Sequence, residues 1–285
     1  MNAVSTVTLG GRSFRVEALN LPAPHKDQDA WLVCDDFVAV ADGATPLRDE
    51  RPSVVQEFAR AALTELKARR GDSPQRMVRM AIQTTRRLAD QYSPPLSCTL
   101  AVARTAPEGI QIVVLGDCTA VVADDQGRRR TIRDHRLGRV DRGPIARLAE
   151  LTQAGISVED ADRAIAADLI ANRLRMNSPD WYWSFSADSA ASRHVLRRAV
   201  SPESVSALLL CSDGFARLAD TFAASGGMTG LLRRCQREGL ASLGEELRSL
   251  EEEPESLTRY PRFGRHDDAT AILLTARNAQ DTTTN

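Results

Sequence analysis

The first hundred residues alternate between two patterns of apolar and polar positions, one typical of strands and one typical of helices. Residues 30–41 (AWLVCDDFVAVA) contain two short apolar runs around Asp35-Asp36, which predicts a β-hairpin. Residues 53–70 then place apolar side chains three and four positions apart, which predicts an amphipathic helix. Pro74 follows a serine that can cap a helix, so we expect a second helix from there to about Tyr92.

Strand patterns replace the helical ones after this pair. Three apolar runs occur close together, at 97–104 (SCTLAVAR), 110–116 (IQIVVLG) and 118–124 (CTAVVAD). Parallel neighbours need a crossover of about a dozen residues or more, and the turns here are much shorter. We therefore expect the three strands to pair antiparallel in sequence order.

The segment 137–200 breaks the pattern. It is rich in Arg, Ala and Asp and has little periodicity, which predicts an irregular helical insertion. The WYWSF cluster at 181–185 is expected to pack inside this insertion rather than to form a substrate platform. An apolar strand at 206–214, a helical region at about 228–252 and a last strand at 268–276 follow. We expect one domain over 1–277, with the insertion as a flap, and a disordered tail at 278–285.

Composition and charge narrow the function classes. The 37 basic and 38 acidic side chains nearly cancel, which argues against a nucleic-acid partner. The N-terminal sequence lacks a signal pattern, and no run approaches the roughly 18 apolar residues of a membrane span. The five scattered cysteines lack metal-site spacing and are expected to be reduced thiols. We therefore expect a cytoplasmic protein without a membrane partner.

Acidic residues stand at the ends of four apolar strands. Asp42 and Asp213 each follow a strand and precede a glycine, Asp117 follows IVVLG, and Asp267 precedes the last strand. Carboxylates at strand ends can converge on one edge of a sheet, and Mg²⁺ and Mn²⁺ prefer such oxygen ligands. An Asp-Gly pair is also a common turn, so the residues alone leave a turn and a metal site equally open.

The order of the acidic motifs resembles the PPM family, the metal-dependent type 2C Ser/Thr protein phosphatases. The six matching motifs, in the family's order, are DQDA (27–30), AVADG (39–43), SCT (97–99), GDCTA (116–120), LLLCSDG (208–214) and DDAT (267–270). Each motif is short, but together they cover the chain from about residue 10 to 277. The resemblance implies an α+β fold, a four-layer α-β-β-α sandwich of two antiparallel sheets flanked by helix pairs.

The same resemblance implies the roles of individual residues. Asp42 would bridge two Mn²⁺ or Mg²⁺ ions, and the Gly43 carbonyl would bind one of them. Asp117 would bind a weaker third ion or adjust the nucleophilic water, and with Asp42 and Asp213 it is expected to be catalytic. The complete expected ligand set is Gln28, Asp29, Asp42, Gly43, Asp117, Asp213 and Asp267, with Asp29 orienting metal-bound water.

The implied function is hydrolysis of phosphoserine and phosphothreonine in proteins by a metal-activated water. A phosphorylated protein would be the substrate, and a cognate Ser/Thr kinase would be a partner. Two alternatives stay open: a phosphatase of a small-molecule phosphate, and a non-catalytic regulatory module on the same fold. The flap over 137–200 is expected to decide which substrate is accepted.

Three positions depart from the family pattern. Gln28 replaces the more usual glutamate, Ala44-Thr45-Pro46 replaces Met-Gly-Gly, and Pro24 stands where an arginine often grips the substrate phosphate. His25 and Lys26 are expected to contact the phosphate instead, with Arg12 and Arg15 as open alternatives, although Lys offers a point charge rather than a bidentate fork. His135 and His266 could donate a proton, but a structural or solvent-facing role is the simpler expectation.

Overall fold

The structure is a computed structural model that describes residues 5–24, 26–45 and 52–277. Two kinds of element make up these residues. The strands are β1 (Ser5–Leu9), β2 (Arg12–Leu21), β3 (Ala30–Cys34), β4 (Phe37–Gly43), β5 (Cys98–Ala106), β6 (Gly109–Leu115), β7 (Thr119–Asp124), β8 (Arg129–Arg133), β9 (Leu196–Val200), β10 (Val205–Cys211) and β11 (Ala269–Ala276). The helices are α1 (Pro52–Ala68), α2 (Pro74–Ala89), α3 (Arg136–Gln153), α4 (Val158–Leu174), α5 (Asp213–Asp220), α6 (Met228–Glu238), α7 (Leu240–Glu252) and α8 (Ser256–Arg259).

The described strands form two antiparallel sheets. The six-stranded sheet has the order β1-β2-β11-β10-β7-β8, and the five-stranded sheet has the order β3-β4-β5-β6-β9. The predicted hairpin is present, with Ala30 paired to Ala41 and Cys34 paired to Phe37. Strand β11 pairs with both β2 and β10, so the last strand of the chain lies in the middle of its sheet.

Three layers of apolar side chains hold the sheets and helices together. Successive side chains of a strand point to opposite faces, so each central strand serves two layers. In β4, Phe37 and Ala39 contact the layer under α1 and α2, whereas Val38 and Val40 contact the other sheet. A third layer lies between the six-stranded sheet and helices α5, α6 and α7. The predicted four-layer α-β-β-α sandwich is confirmed.

The expected pairing of β6 with β7 is wrong. Strand β6 pairs with β5 and β9, whereas β7 pairs with β8 and β10 in the other sheet. The chain changes sheets at Gly116, where φ is +80° and a Cβ would lie 2.4 Å from Thr99 Cγ2. A residue with a side chain would be strained and crowded there, and glycine permits the sharp corner.

Three further expectations need correction. The helical region at 228–252 is two helices, because Gly239 has φ of +80° and ends α6 before α7 begins. The segment 137–200 contains the regular helices α3 and α4, and its last residues form β9 in the five-stranded sheet. The hairpin of β1 and β2 was not predicted, although Val7 and Leu9 alternate with polar residues and are buried.

The five cysteines differ in their exposure to solvent. All five cysteines are free thiols, and Cys34 is the partly exposed one while the other four are buried. Over the part of the chain that the structure describes, no helix combines the length and apolar character needed to cross a bilayer.

Candidate active site

Four aspartates from both sheets meet at one cavity. Asp42 lies near the end of β4, Asp117 at the corner between the sheets, Asp213 at the start of α5, and Asp267 just before β11. All four line a cavity of about 330 Å³. The carboxylates that were predicted at strand ends therefore lie together at one edge of the sandwich.

Asp42 and Asp213 are in direct contact. The backbone N–H of Asp213 points to Asp42 Oδ2 at 3.4 Å. Burial raises the pKa of Asp42 well above its usual range, and the carboxylates of Asp213, Asp29 and Asp117 raise it further. Burial, followed by the charge of Asp213, raises the pKa of Asp117 to about 7. The cluster is a concentration of negative charge that a cation would stabilise.

Asp29 stands behind this cluster and does not line the cavity. It is 2% exposed, and neither of its carboxylate oxygens has a hydrogen-bond partner among the described residues. Burial raises the pKa of Asp29, the nearby Thr270 hydroxyl partly opposes this, and the charges of Asp268 and Asp267 add to the increase. Buried oxygens without partners are costly, so this carboxylate is poised to accept a hydrogen bond or to face a cation.

Gln28 and Gly43 touch through their backbones. A Cβ on Gly43 would lie 2.4 Å from the Gln28 carbonyl oxygen and 2.5 Å from Val55 Cγ1, so only glycine fits. The Gln28 side chain is buried, and its Oε1 accepts a hydrogen bond from the Thr45 hydroxyl at 3.0 Å. Gln28 thus lies beside the expected ligands but, like Asp29, behind the cavity wall.

Asp268 organises the loop that carries Gln28, a role that the sequence analysis missed. Its carboxylate accepts the backbone N–H groups of Ala23 and Gln28, both at 2.7 Å, and that of Asp27 at 3.2 Å. Hydrogen bonds from several N–H groups to one carboxylate are strong, so Asp268 fixes the positions of Ala23, Asp27 and Gln28. The signal in the sequence is an aspartate at the position where the family pattern has asparagine.

Asp267 is already paired with cationic side chains. Arg217 Nη2 donates to Asp267 Oδ2 at 2.6 Å, and Lys26 Nζ lies 3.6 Å from Asp267 Oδ1. Arg217 is buried and also contacts the fully buried Glu251 at 3.1 Å. The sequence analysis missed Arg217, although its position four residues after Asp213 places both on one face of α5.

The flap covers the cavity. Helix α4 lines it with residues three or four positions apart, and Asp141 of α3 and Tyr182 face it as well. Burial raises the pKa of Asp141 to about 7, and the charges of Asp117 and Asp213 contribute. Arg173 of α4 also lines the cavity. Burial raises the pKa of Tyr182, and the charge of Arg173 partly offsets this increase, as it does for Asp141. The flap therefore adds one positive and several polar groups to the site.

The aromatic cluster divides between the flap and the core. Trp183 and Phe185 belong to the layer under α1 and α2, and Phe185 exchanges two backbone hydrogen bonds with Cys98, both 2.9 Å. Tyr182 lines the cavity instead. Arg175 lies 3.7 Å from the Trp181 ring and is not among the cavity residues.

The histidines stand in different places. His25 lies outside the described residues. His266 Nε2 is 2.7 Å from Glu252 Oε1, and His194 stacks on Trp183 at a centroid distance of 3.6 Å. His135 precedes α3 and is exposed. The contact with Glu252 agrees with a structural role for His266.

The donors at this site fit a hard divalent cation. They are carboxylate and carbonyl oxygens, they raise one another's pKa values, and Asp29 has two oxygens without partners. Within the described ranges, however, no three acidic, thiol or imidazole side chains already enclose an ion-sized space. The individual ligand assignments therefore stay predictions.

Known structures share this fold. The chain is similar to the Ser/Thr phosphatase PstP/Ppp of Mycobacterium tuberculosis, with 14% identity, a TM-score of 0.54 and coverage of 93% of this chain and 99% of that one. It is also similar to Stp1 from Staphylococcus aureus, with 15% identity, a TM-score of 0.54 and coverage of 96% and 98%. A structure of RsbX with magnesium gives 12% identity, a TM-score of 0.53 and coverage of 97% and 100%.

A family model settles membership. None of the curated proteins compared with this sequence matches it. The model described as protein phosphatase 2C matches residues 23–249, which is well over half of the 285-residue chain and includes the motifs around Asp42, Asp117 and Asp213. The predicted family is therefore confirmed, and this chain belongs to the protein phosphatase 2C family.

Proposed function

We propose that this protein is a Mn²⁺- or Mg²⁺-dependent phosphatase that removes phosphate from phosphoserine and phosphothreonine in other proteins. The observation that carries the proposal is the convergence of Asp42, Asp117, Asp213 and Asp267 on one cavity in a chain of the protein phosphatase 2C family. The catalytic domain of PstP has been crystallised with two manganese ions, at 16% identity to this chain. RsbX has been crystallised with magnesium.

Each residue of the cluster has a proposed role in holding two ions. Asp42 and the Gly43 carbonyl, with Gln28 beside them, would hold one ion, and Asp42 would share the second with Asp213 and Asp267. Asp117 would act from the corner between the sheets, on a weaker third ion or on the water. Ions held there would lower the pKa of a water molecule and balance the negative charge of a phosphate ester.

The remaining groups position the reactants. Asp29 has two buried oxygens without partners, so it can orient a water at the back of the cluster. Lys26 lines the cavity and is proposed to contact the substrate phosphate, together with His25. Arg173 offers a bidentate guanidinium from the flap, which supports a role in place of the arginine missing at Pro24.

A protein substrate is favoured over a small phosphate by the family itself. The missing arginine and the altered loop after Gly43 motivate the small-molecule alternative, but no contact in the cavity favours it. A non-catalytic module would not need to keep Asp42, Asp213 and Asp267. A cognate kinase, a cytoplasmic location and the absence of nucleic-acid and membrane partners complete the proposal, and the free cysteines support the location.

The decisive experiment compares two substrates under three metal conditions. Purified protein would be assayed on an aryl phosphate and on a phosphothreonine peptide, with Mn²⁺, with Mg²⁺ and with chelator. We expect hydrolysis of both substrates with metal and none with chelator. Full turnover with chelator would contradict the metal dependence. Turnover of the aryl phosphate with none of the peptide, across several peptide sequences, would favour the small-molecule alternative.

A further inference from the structure

Positive charge is distributed unevenly across the carboxylate cluster. Among the described residues, neither Asp42 nor Asp29 forms a salt bridge, and the charges near each of them are other carboxylates. Asp267, in contrast, has Arg217 on one oxygen and Lys26 near the other. One end of the cluster therefore lacks cationic side chains, and the other end already has two.

The guanidinium of Arg217 is fixed in this position by more than Asp267. Its Nη1 donates to Glu251 at 3.1 Å, and its Nη2 also donates to the carbonyl oxygen of Phe263 at 3.1 Å. Glu251 is fully buried and is held a second time by Arg248, which also donates to the Asp267 carbonyl at 2.9 Å. Moving Arg217 away would leave a buried carboxylate short of a partner, so the positive charge stays beside Asp267.

The two cations approach Asp267 from different sides. Lys26 lines the cavity that contains all four aspartates. Arg217 lines an adjoining cavity of about 300 Å³, together with Arg133 and Arg262, and Asp117, Asp213 and Asp267 line both cavities. Asp267 Oδ1 also accepts the backbone N–H of Asp268 at 3.1 Å. Both oxygens of Asp267 therefore have donors, and a metal ion would compete with them.

From this asymmetry we propose that Arg217 is a resident cation of the site and makes the two divalent positions unequal. The position formed by Asp42 and the Gly43 carbonyl binds its ion tightly, and the position that adds Asp213 and Asp267 to Asp42 binds weakly. A fixed guanidinium repels a divalent ion and shares the carboxylate that the ion needs. This inference rests on the proposed function, because it concerns the same two ions.

The opposite role is physically reasonable and gives the test its contrast. A donor to a ligating carboxylate can hold that carboxylate in the right orientation and so increase metal affinity. In that case, removal of Arg217 weakens the ion at Asp267. Under the competition that we propose, removal of Arg217 strengthens it.

The test is a calorimetric titration of chelator-stripped, full-length protein with Mn²⁺ alone, without substrate. Wild type should show two binding steps whose dissociation constants differ by about tenfold or more, the scale of effects from groups around metal ligands. Asp267→Asn should remove the weaker step and keep the tighter one. Loss of the tighter step instead would overturn the proposal.

Two variants then remove the competing charge. Arg217→Met combined with Glu251→Gln avoids leaving the buried Glu251 charge without its main partner, and it should strengthen the weaker step by about tenfold. Lys26→Met leaves the core intact, because Lys26 is partly exposed, and should strengthen the same step by a few-fold. Thermal unfolding and circular dichroism would establish that each variant is folded.

The matched control is Arg234→Met. Arg234 also bridges two carboxylates, Glu238 and Glu246, but it lies on α6 away from the cluster. Both binding steps should be unchanged in this variant. Equal affinities in wild type, or a weaker second step in both charge-removal variants, would overturn the inference and leave the proposed function standing. An absence of any Mn²⁺ binding to wild type would overturn the proposed function itself.

Discussion

The backbone N–H of Asp213 lies 3.4 Å from Asp42 Oδ2, although the residues are 171 positions apart and belong to different layers of the fold. Asp42 ends a strand of the five-stranded sheet, and Asp213 begins the helix that follows a strand of the six-stranded sheet. The start of a helix presents free N–H groups and a partial positive charge. This contact therefore joins elements of the two sheets within the acidic cluster.

Replacing Asp42 or Asp213 by asparagine should remove most of the activity while leaving the fold intact. Each substitution deletes a charge that the proposed site needs, and the loss of a major electrostatic element costs at least about 100-fold in rate. Initial rates on an aryl phosphate with saturating Mn²⁺ would measure the effect. Asp35→Asn, in the exposed turn of the β3–β4 hairpin, is the matched control and should keep the wild-type rate. A near-normal rate for folded Asp42→Asn would contradict the assignment.

Gln28→Glu should lower the Mn²⁺ concentration needed for half-maximal activity. The new charge would lie beside Gly43 and could still accept the hydrogen bond from Thr45. A gain of a few-fold is expected, about 1 kcal/mol for a partly screened pair. A parallel titration of Gln83→Glu, on the exposed face of α2, controls for added negative charge. An unchanged or higher midpoint for Gln28→Glu would mean that this side chain does not act on the ion.

Gly43→Ala should destabilise the protein through contact with Gln28 and Val55. The added methyl group would need to displace backbone at 2.4 Å, and overpacking of this kind costs about 1–3 kcal/mol. Gly71→Ala is the control, because nothing lies within 4 Å of its added carbon. Chemical denaturation of both variants would measure the difference. Equal free energies of unfolding would show that the 28–43 contact can relax without cost.

Without metal, the protein should become less stable as the pH rises from about 4 to about 7. Burial and neighbouring charges raise the pKa of Asp117 and of Asp141 to about 7. A carboxyl group whose pKa is higher in the folded state binds more protons when folded, so folding is favoured below that pKa and disfavoured above it. Melting temperatures with chelator at pH 5.5 and 7.5 test this, and Asp141→Asn should reduce the difference. A higher melting temperature at pH 7.5 would contradict it.

Arg173→Met should raise KM for both the aryl phosphate and the phosphopeptide. A guanidinium that faces the cavity can make charge-assisted hydrogen bonds to phosphate, and their loss costs about 10-fold or more. Arg175→Met is the matched control, because Arg175 lies over the Trp181 ring and does not line the cavity. Equal effects of the two substitutions would assign them to flap stability. A change in the phosphopeptide KM alone would point to peptide contacts instead.

Local patterns predicted the elements that hold the candidate aspartates of the site. Apolar runs bounded by Asp-Gly located β4 and β10, and the helix signals at Ser73-Pro74 located α2. These succeed because the features are set by neighbours in the chain. The predicted pairing of β6 with β7 was wrong for the same reason. The sequence of a short turn is similar whether the strands on either side of it pair or enter different sheets. In the structure, Thr99 of β5 packs against Gly116, and this contact between distant residues marks the point where the chain leaves one sheet for the other.

The missed residues act across the chain. Asp268 binds backbone groups about 240 positions earlier, and Arg217 connects Glu251 to Asp267. A single sequence does not identify such partners, because the residues that meet are far apart in the chain. The ligand order could be predicted only through the family motifs. The balance of charges around the expected ligands can be determined only from the three-dimensional structure.

The chain crosses between the sheets at Gly116 and places Asp117 on that crossing. Asp42 belongs to a strand of the five-stranded sheet. Asp213 and Asp267 lie next to strands of the six-stranded sheet, and Asp117 lies in the connection between the two sheets. A cation bound among these residues would act as a further cross-link between two layers that pack against each other through a shared apolar core. The reactive geometry then depends on a spacing set by side chains such as Val38, Val40 and Leu210, deep in the interior. Substitutions that enlarge or shrink the side chains between the two sheets should therefore lower the rate of hydrolysis, even though they leave every proposed site residue in place.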